Sequence, residues 1–161
     1  MIPLSKTLLV AAMGFFAFLA AFGNITDYHT NFAFVQHVFL MDTIFPDAAI
    51  KYRAIENPLI HHTGYIAIIA LESLTALLCL AGAWTMFIQR RSPEFNRSKR
   101  LAIAGLTLGF LTWQVGFMSV GGEWFGMWMS ETWNGVPSAF RFFVTILLVL
   151  IYVAQRDEPG A

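Results

Sequence analysis

The stretch IALESLTALL, from Ile69 to Leu78, carries one charged residue, Glu72, inside a long apolar segment. No Lys or Arg lies within ten positions of it on either side. A carboxylate at the centre of a membrane span costs at least about 2.5 kcal/mol of insertion free energy, so something must offset its burial. Three interpretations stay open: a neutral acid whose hydrogen bond fixes helix register, a site that couples to protons or another ion, and a contact with another subunit.

Polar side chains share one face of the helix that this segment predicts. His61, Tyr65 and Glu72 follow the three-and-four spacing of an α-helix, and Thr75 continues the stripe. The candidate hydrogen-bond partners in the next apolar segment are Thr107, Thr112 and Gln114. We therefore predict a polar seam of Glu72, Tyr65, His61 and Gln114 inside a helical bundle.

The histidines of the chain are His29, His37, His61 and His62. Haem b in a helix bundle usually takes two axial histidines on facing helices. Among the four long apolar segments, only the second contains histidine, at His61 and His62. A divalent metal site with Asp27, Asp42 or Glu56 would lack the tight His-x-x-x-His spacing of known motifs. We predict no cofactor and no metal ligand, with haem b through His61 or His62 as the alternative.

The connection GGEWFGMWMSETWNGVP, which precedes the last apolar segment, is rich in tryptophan. Trp124 and Trp128 are one helical turn apart, and Trp133 and Asn134 follow. Tryptophan favours the membrane–water interface, which predicts a helix anchoring the outer leaflet. The same residues, with Arg141 one turn inside the last apolar segment, are also candidates for contact with a ligand or another subunit.

The composition indicates that the surrounding solvent is lipid. Of 161 residues, 57% are hydrophobic and 12% are charged, about half the charged fraction of soluble domains. Four segments approach the roughly 20 apolar residues that cross a bilayer as a helix, at about 4–23, 59–88, 101–120 and 137–154. We predict an all-α membrane four-helix bundle that forms a single domain over residues 1–161. Ten basic and ten acidic residues give no net field that would attract nucleic acid.

Basic residues predict the orientation of the spans. The loop QRRSPEFNRSKR holds five of the ten basic residues, which places it in the cytoplasm. With four spans, the N- and C-termini lie on the same side as this loop. The first loop and the tryptophan-rich connection then face outward, and the latter has no Lys or Arg.

The first outer loop, from Asn24 to Pro58, is too long and too apolar for a simple connection. Its sequence NFAFVQHVFLMDTIF predicts a short helix that lies on the membrane or caps the bundle, unless a partner protein covers it. After a turn at Pro46, a second short helix is expected. At the chain start, Lys6 followed by an apolar run also resembles a secretory signal peptide, which would leave three spans.

Three stretches, NITDYHTNFAFVQHVFLMDT, YRAIENPLIHHTGYIAIIALESLTAL and GGEWFGMWMSETWNGVPSAFRFF, together resemble the bacterial small integral membrane proteins called domain of unknown function 2165. The resemblance runs from about Ala11 to Val153 and is most specific around Trp133, Asn134 and Arg141. It implies a four-span bundle in the bacterial inner membrane. The family has no established activity, so the resemblance names no catalytic residue.

No phosphate-binding glycine loop, nucleophile elbow or pair of catalytic carboxylates is recognisable in the sequence. We therefore predict a protein that is not an enzyme and acts as an accessory subunit of a larger membrane complex, with lipid and other membrane subunits as partners. The first alternative is an ion- or proton-coupled transport component that uses Glu72. The second is a redox subunit that binds haem or quinone.

Overall fold

In the computed structural model, residues 1–157 are described, and all of their regular secondary structure is helical. Four helices are long and apolar enough to cross a membrane, which confirms the predicted fold class. The α-helices are α1 (Ile2–Thr26), α2 (Tyr28–Leu40), α3 (Pro58–Gln89), α4 (Phe95–Ser98), α5 (Arg100–Leu111) and α6 (Val136–Ala154). A π segment (Thr112–Trp124) continues α5, and 3-10 turns span Ala49–Arg53 and Met127–Met129.

Local signals fix where the long helices begin. At the start of α3, the Asn57 side chain accepts a hydrogen bond of 2.9 Å from the backbone N–H of Leu59, and Pro58 occupies the first turn. At the start of α6, the Asn134 side chain accepts a hydrogen bond of 3.0 Å from the backbone N–H of Val136. A side-chain acceptor satisfies a backbone donor that has no partner within the helix, and proline is tolerated in the first turn.

Helix α3 lies at the centre of the bundle, with α1 and α5 packed against it. The α3–α5 crossing is close because two glycines face the opposing backbone. A Cβ atom added at Gly82 would lie 2.7 Å from Ala102 Cα, and one at Gly105 would lie 2.8 Å from the backbone nitrogen of Cys79. Small residues permit such approach between membrane helices. The core between the four long helices includes Val10, Ala17, Cys79, Leu106, Trp113, Ile146 and Val153.

The two ends of the bundle differ in composition. We call the end formed by residues 1–6, 89–100 and 154–157 the basic end, because it carries the basic loop. The opposite end, formed by residues 24–58 and 121–137, is the capped end. Here α2 packs across the first turns of α3, where the Phe39 ring would meet a Cβ at Gly64 at 2.8 Å. Met41, Ile44 and Phe125 form a second small core that holds the cap together.

The π segment is the main departure from the predicted helices. Its last turn closes with a hydrogen bond of 3.0 Å from the Phe125 N–H to the Val120 carbonyl, five residues earlier. The helix ends at Trp124, and Gly126 adopts the left-handed conformation (φ 65°) before the next turn begins at Met127. The predicted anchoring helix through Trp124 and Trp128 is therefore wrong.

Candidate functional site

Glu72 is 3% exposed and lies near mid-depth in the bundle. A Cβ at Gly109 of α5 would meet Thr75 Cγ2 at 3.0 Å, so these two residues face one another. Because α3 and α5 run antiparallel, Glu72, one turn closer to the capped end than Thr75, faces the region where the π segment begins. That region is about halfway along the span Phe95–Trp124. Glu72 thus lies about halfway along α5 and its π segment, and beside the last turn of α1.

The hydrogen-bond partner of Glu72 is Asn24, near the end of α1. The Asn24 side-chain amide donates to Glu72 Oε2 at 2.7 Å. The Tyr65 hydroxyl donates to the Asn24 backbone carbonyl at 3.0 Å and lies 3.2 Å from its Oδ1 atom. We call Asn24, Tyr65 and Glu72 the Glu72 cluster. Two turns of α3 and the last turn of α1 thus hold one carboxyl, one amide and one phenol in contact.

The candidate partners expected in the third span do not fill that role. Thr107 is exposed on the bundle surface, and the Thr112 hydroxyl donates to the Leu108 carbonyl at 2.9 Å. The Gln114 side chain is partly buried and makes no hydrogen bond within residues 1–157, so it does not join Glu72 and Tyr65. His61 bonds elsewhere: its Nε2 atom donates to the Ile55 carbonyl at 2.6 Å.

Aromatic rings connect the Glu72 cluster to the capped end. The Tyr28 ring meets the Tyr65 ring edge-on at a centroid distance of 4.8 Å, and the Tyr28 hydroxyl lies 2.8 Å from His62 Nδ1. Phe32 stacks on the His62 ring at 4.1 Å. Through these contacts, His62 and Tyr28 are connected to Tyr65, which binds the same Asn24 that donates to Glu72.

Two buried polar atoms near this path have no hydrogen-bond partner among the described residues. They are Nδ1 of His61 and the hydroxyl oxygen of Thr75. Thr75 is one turn from Glu72 on the same face of α3. A buried polar atom without a partner is costly and is often associated with function.

The residues predicted for outer-face contacts lie apart from the Glu72 cluster. Trp124 is 53% exposed and Trp128 is 47% exposed. The Trp133 ring stacks on His37 at 4.6 Å, and the Asn134 side-chain amide donates to the Trp128 carbonyl at 3.4 Å. Arg141 is exposed, and its guanidinium donates to the Ser138 hydroxyl at 3.1 Å.

A second buried polar cluster, missed at the sequence level, lies at the basic end. The Asp157 carboxylate accepts from the Lys6 ammonium at 2.9 Å and from that of Lys99, and both lysines are at most 2% exposed. Both ammonium groups also donate to the Gln155 carbonyl, at 2.9 and 2.8 Å. The Asn96 side-chain amide donates to the Asp157 carbonyl at 2.7 Å. We call Lys6, Asn96, Lys99 and Asp157 the Asp157 cluster.

Burial alone would raise the pKa of the Asp157 carboxyl. The hydrogen bonds from Lys99 and Lys6, together with their positive charges, outweigh burial and hold its pKa below the usual value of 3.8. The last described residues are thereby tied to α1 and to the α4–α5 junction. No simple sequence signal marks this cluster, because Lys6 and Lys99 read as ordinary basic residues beside membrane spans.

The described residues place titratable and hydrogen-bonding side chains in two buried clusters. No group of three or more His, Cys, Asp or Glu residues in this part of the chain is placed to hold a metal ion. Glu72 can bind or release a proton next to neutral hydrogen-bonding groups. Asp157, by contrast, is fixed as an anion between two ammonium groups.

Four apolar helices around a buried polar cluster define a small multi-span membrane protein. The chain belongs to the family described as "Predicted small integral membrane protein (DUF2165)", whose model matches residues 2–156. This match confirms the family resemblance of the sequence. No match was found among curated proteins or among solved structures.

Proposed function

We propose that this protein is a non-catalytic accessory subunit of a larger protein complex in the bacterial inner membrane. The observation that carries this proposal is the position of Arg141, five residues inside the last span and exposed on its surface. No carboxylate among residues 1–157 forms an ion pair with it. Near the end of a span, an Arg side chain reaches toward the interface, where an acidic group of a partner subunit would stabilise it.

The capped end supports a protein partner for this face. Phe45 is 49% exposed, Trp128 is 47% exposed, and their rings meet edge-on at 5.8 Å on the rigid cap. Asn134 links this part of the cap to the start of α6 through its bond to the Trp128 carbonyl. Interface hot spots are enriched in tryptophan and arginine, and the surface from Trp128 to Arg141 contains both.

Photocrosslinking in native membranes tests the accessory role. A photoreactive residue at Phe140, which is 53% exposed and adjacent to Arg141, is expected to give discrete protein adducts. The same residue at Leu148, which is 63% exposed further along α6, is the matched control and is expected to react with lipid only. Lipid adducts alone at both positions would contradict the proposal.

The orientation with both termini in the cytoplasm is part of this proposal. It is supported by the contacts of Lys6, Lys99 and Asp157, which bring residues 1–6 and the last described residues beside the basic loop. A cysteine introduced at Glu131 of the capped end should react with a membrane-impermeant maleimide added to intact cells. One introduced at Ser92 should react only after the membrane is opened. The reverse pattern would overturn the orientation.

A second candidate function is ion- or proton-coupled transport through Glu72. The specific support is the chain of polar and aromatic groups from His62 through Tyr28 and Tyr65 to the Glu72 cluster. Reconstituted vesicles loaded with a pH-sensitive dye provide the test. Proton flux should be lost in Glu72→Gln and kept in Thr107→Val, which changes a hydroxyl on the outer surface of α5. A proton flux in Glu72→Gln that equals the flux in Thr107→Val would contradict a transport role for Glu72.

Binding of haem b or a quinone is the remaining alternative. His61 and His62 each engage one ring nitrogen in a hydrogen bond, to Ile55 and Tyr28 respectively. To bind the haem iron as an axial ligand, either histidine would have to use its other ring nitrogen. A Soret band in the absorption spectrum of the purified protein, lost in His61→Ala or His62→Ala, would establish haem. Extraction and chromatography of bound quinone would establish the second ligand.

A further inference from the structure

A cavity of about 190 Å³ lies between α2, α3 and the π segment. Its lining is apolar and includes Phe34, Val35, Val38, Gly64, Ile68, Gly116, Phe117, Val120, Phe125 and Met127. The cavity is partly open, and a Cβ added at Gly116 would meet no atom within 4 Å. It is larger than an engineered apolar cavity of about 150 Å³ that stays dry and binds benzene.

The position of the cavity indicates what can fill it. Ile68 is one turn from Glu72 toward the capped end, and Gly116 and Val120 belong to a membrane span. The part of the cavity lined by this span lies at a depth that the hydrocarbon of a bilayer would occupy. An apolar cleft in that medium favours a flexible hydrocarbon chain.

A cationic group lies beside the apolar lining. The Arg53 guanidinium packs on the Trp124 ring at 4.5 Å and donates to the Trp124 carbonyl at 3.1 Å. The next residue, Phe125, lines the cavity, and the Ile55 N–H donates to the carbonyl of Phe39, also a lining residue, at 2.9 Å. Arg53 pairs with no carboxylate among residues 1–157. Its remaining N–H donors suit a phosphate, which guanidinium groups bind through two parallel hydrogen bonds.

We propose that the cavity binds one acyl chain of a phospholipid whose phosphate is held by Arg53. This apolar cleft and the cation near it match the two parts of such a lipid. This inference is independent of the accessory role, because the cavity and the exposed Arg141 face are built from different residues.

Quantitative lipid analysis of the purified protein tests the proposal. The full chain is washed extensively in mild detergent, and the retained lipids are extracted and identified by mass spectrometry. The wild-type protein should retain a stoichiometric phospholipid. Gly116→Leu adds a bulky side chain at a lining position where a Cβ meets no atom within 4 Å, and it should lower retention by about tenfold or more, the effect of losing roughly 1.4 kcal/mol of affinity. Arg53→Gln should lower retention and weaken the preference for anionic headgroups.

The matched control is Gly23→Leu. A Cβ at Gly23 also meets no atom within 4 Å, but Gly23 lies on α1, away from the cavity. This variant should retain lipid as the wild-type protein does. Val120→Phe fills the cavity from another position and replaces Gly116→Leu if that variant does not fold. Absence of bound lipid in the wild-type protein, co-purification of a quinone in place of a phospholipid, or equal retention in all variants would overturn the proposal.

Discussion

At the basic end, the Asp157 carboxylate accepts hydrogen bonds from two ammonium groups, whereas near mid-depth Glu72 accepts one from a neutral amide. Both carboxyl groups are almost fully removed from solvent, with side-chain exposure of 7% for Asp157 and 3% for Glu72 overall. The negative charge of Asp157 is therefore compensated by positive charges of the same chain. Glu72 has one hydrogen bond and no opposite charge among the described residues.

This difference separates a structural site from a candidate functional one. Ion pairs that are buried and satisfied by further hydrogen bonds hold one geometry, and removing one partner leaves an uncompensated charge. A carboxyl with neutral partners can change its protonation state without breaking an ion pair. The contacts indicate that the Asp157 cluster holds the chain after α6 against α1 and α5, whereas Glu72 stays the candidate for a functional role.

The largest expected effect follows from removing the anion of the basic end. Asp157→Ala leaves Lys6 and Lys99 as buried ammonium groups without a counter-ion, and we expect a loss of about 3–5 kcal/mol in the free energy of unfolding. Unfolding in detergent can be followed with a thiol-reactive dye, because Cys79 is the single cysteine and is fully buried.

The control for this experiment is the exposed ion pair Glu94–Arg97 at the same end. Its atoms are 3.8 Å apart and its side chains are 62% and 71% exposed. Glu94→Ala should cost less than about 1 kcal/mol, because exposed pairs contribute little. Equal losses in the two variants would show that burial does not distinguish the Asp157 cluster.

The next effect concerns the helix crossing between the two clusters. Gly82→Ala places a methyl group against the Ala102 backbone, which cannot rotate away as a side chain could. We expect a loss of about 1–3 kcal/mol from overpacking, measured with the same dye. Gly23→Ala is the matched control, since its Cβ meets no atom within 4 Å, and it should be neutral or stabilising. A destabilisation shared by both variants would point to general helix effects and not to the α3–α5 contact.

Much of the architecture is predictable from the sequence. The four spans follow from apolar segments of the length that a bilayer requires, and their predicted bounds lie within a few residues of the observed helices. The short helix in the first outer loop was expected from its apolar composition and is present as α2. The π segment was not, because its apolar residues also fit the period of an α-helix.

The candidate site was less predictable because it depends on how helices rotate and which ones touch. Depth and spacing in the sequence identify Glu72 and Tyr65, but they do not reveal that α1 presents Asn24 to both. They also suggested Gln114, which lies on another helix and does not join the cluster. The buried state of Lys6 and Lys99 depends on the chain returning across the basic end after α6, a tertiary contact without a local signal.

A smaller effect is expected at Glu72. Glu72→Gln keeps an oxygen that can accept the hydrogen bond from Asn24, so it should cost less than about 1 kcal/mol of stability. Glu72→Leu leaves the buried Asn24 amide without its acceptor and should cost about 1–3 kcal/mol. The comparison between clusters would fail if Glu72→Gln were as damaging as Asp157→Ala, because Glu72 would then carry a charge needed for folding.

The smallest effect is the pH dependence of the Asp157 cluster. The folded-state pKa of Asp157 lies below its usual value of 3.8, so its ionised form is favoured by folding. Its contribution to stability is complete above the usual pKa and is lost as the pH falls through the lowered value. Between pH 7 and pH 4 the loss should stay below about 1 kcal/mol, since one pKa unit corresponds to 1.36 kcal/mol. The difference in melting temperature between the wild-type protein and Asp157→Asn should therefore be constant near neutrality and shrink only in more acidic solution. A difference that shrinks already at neutral pH would mean that a group other than this carboxylate controls the stability of the basic end.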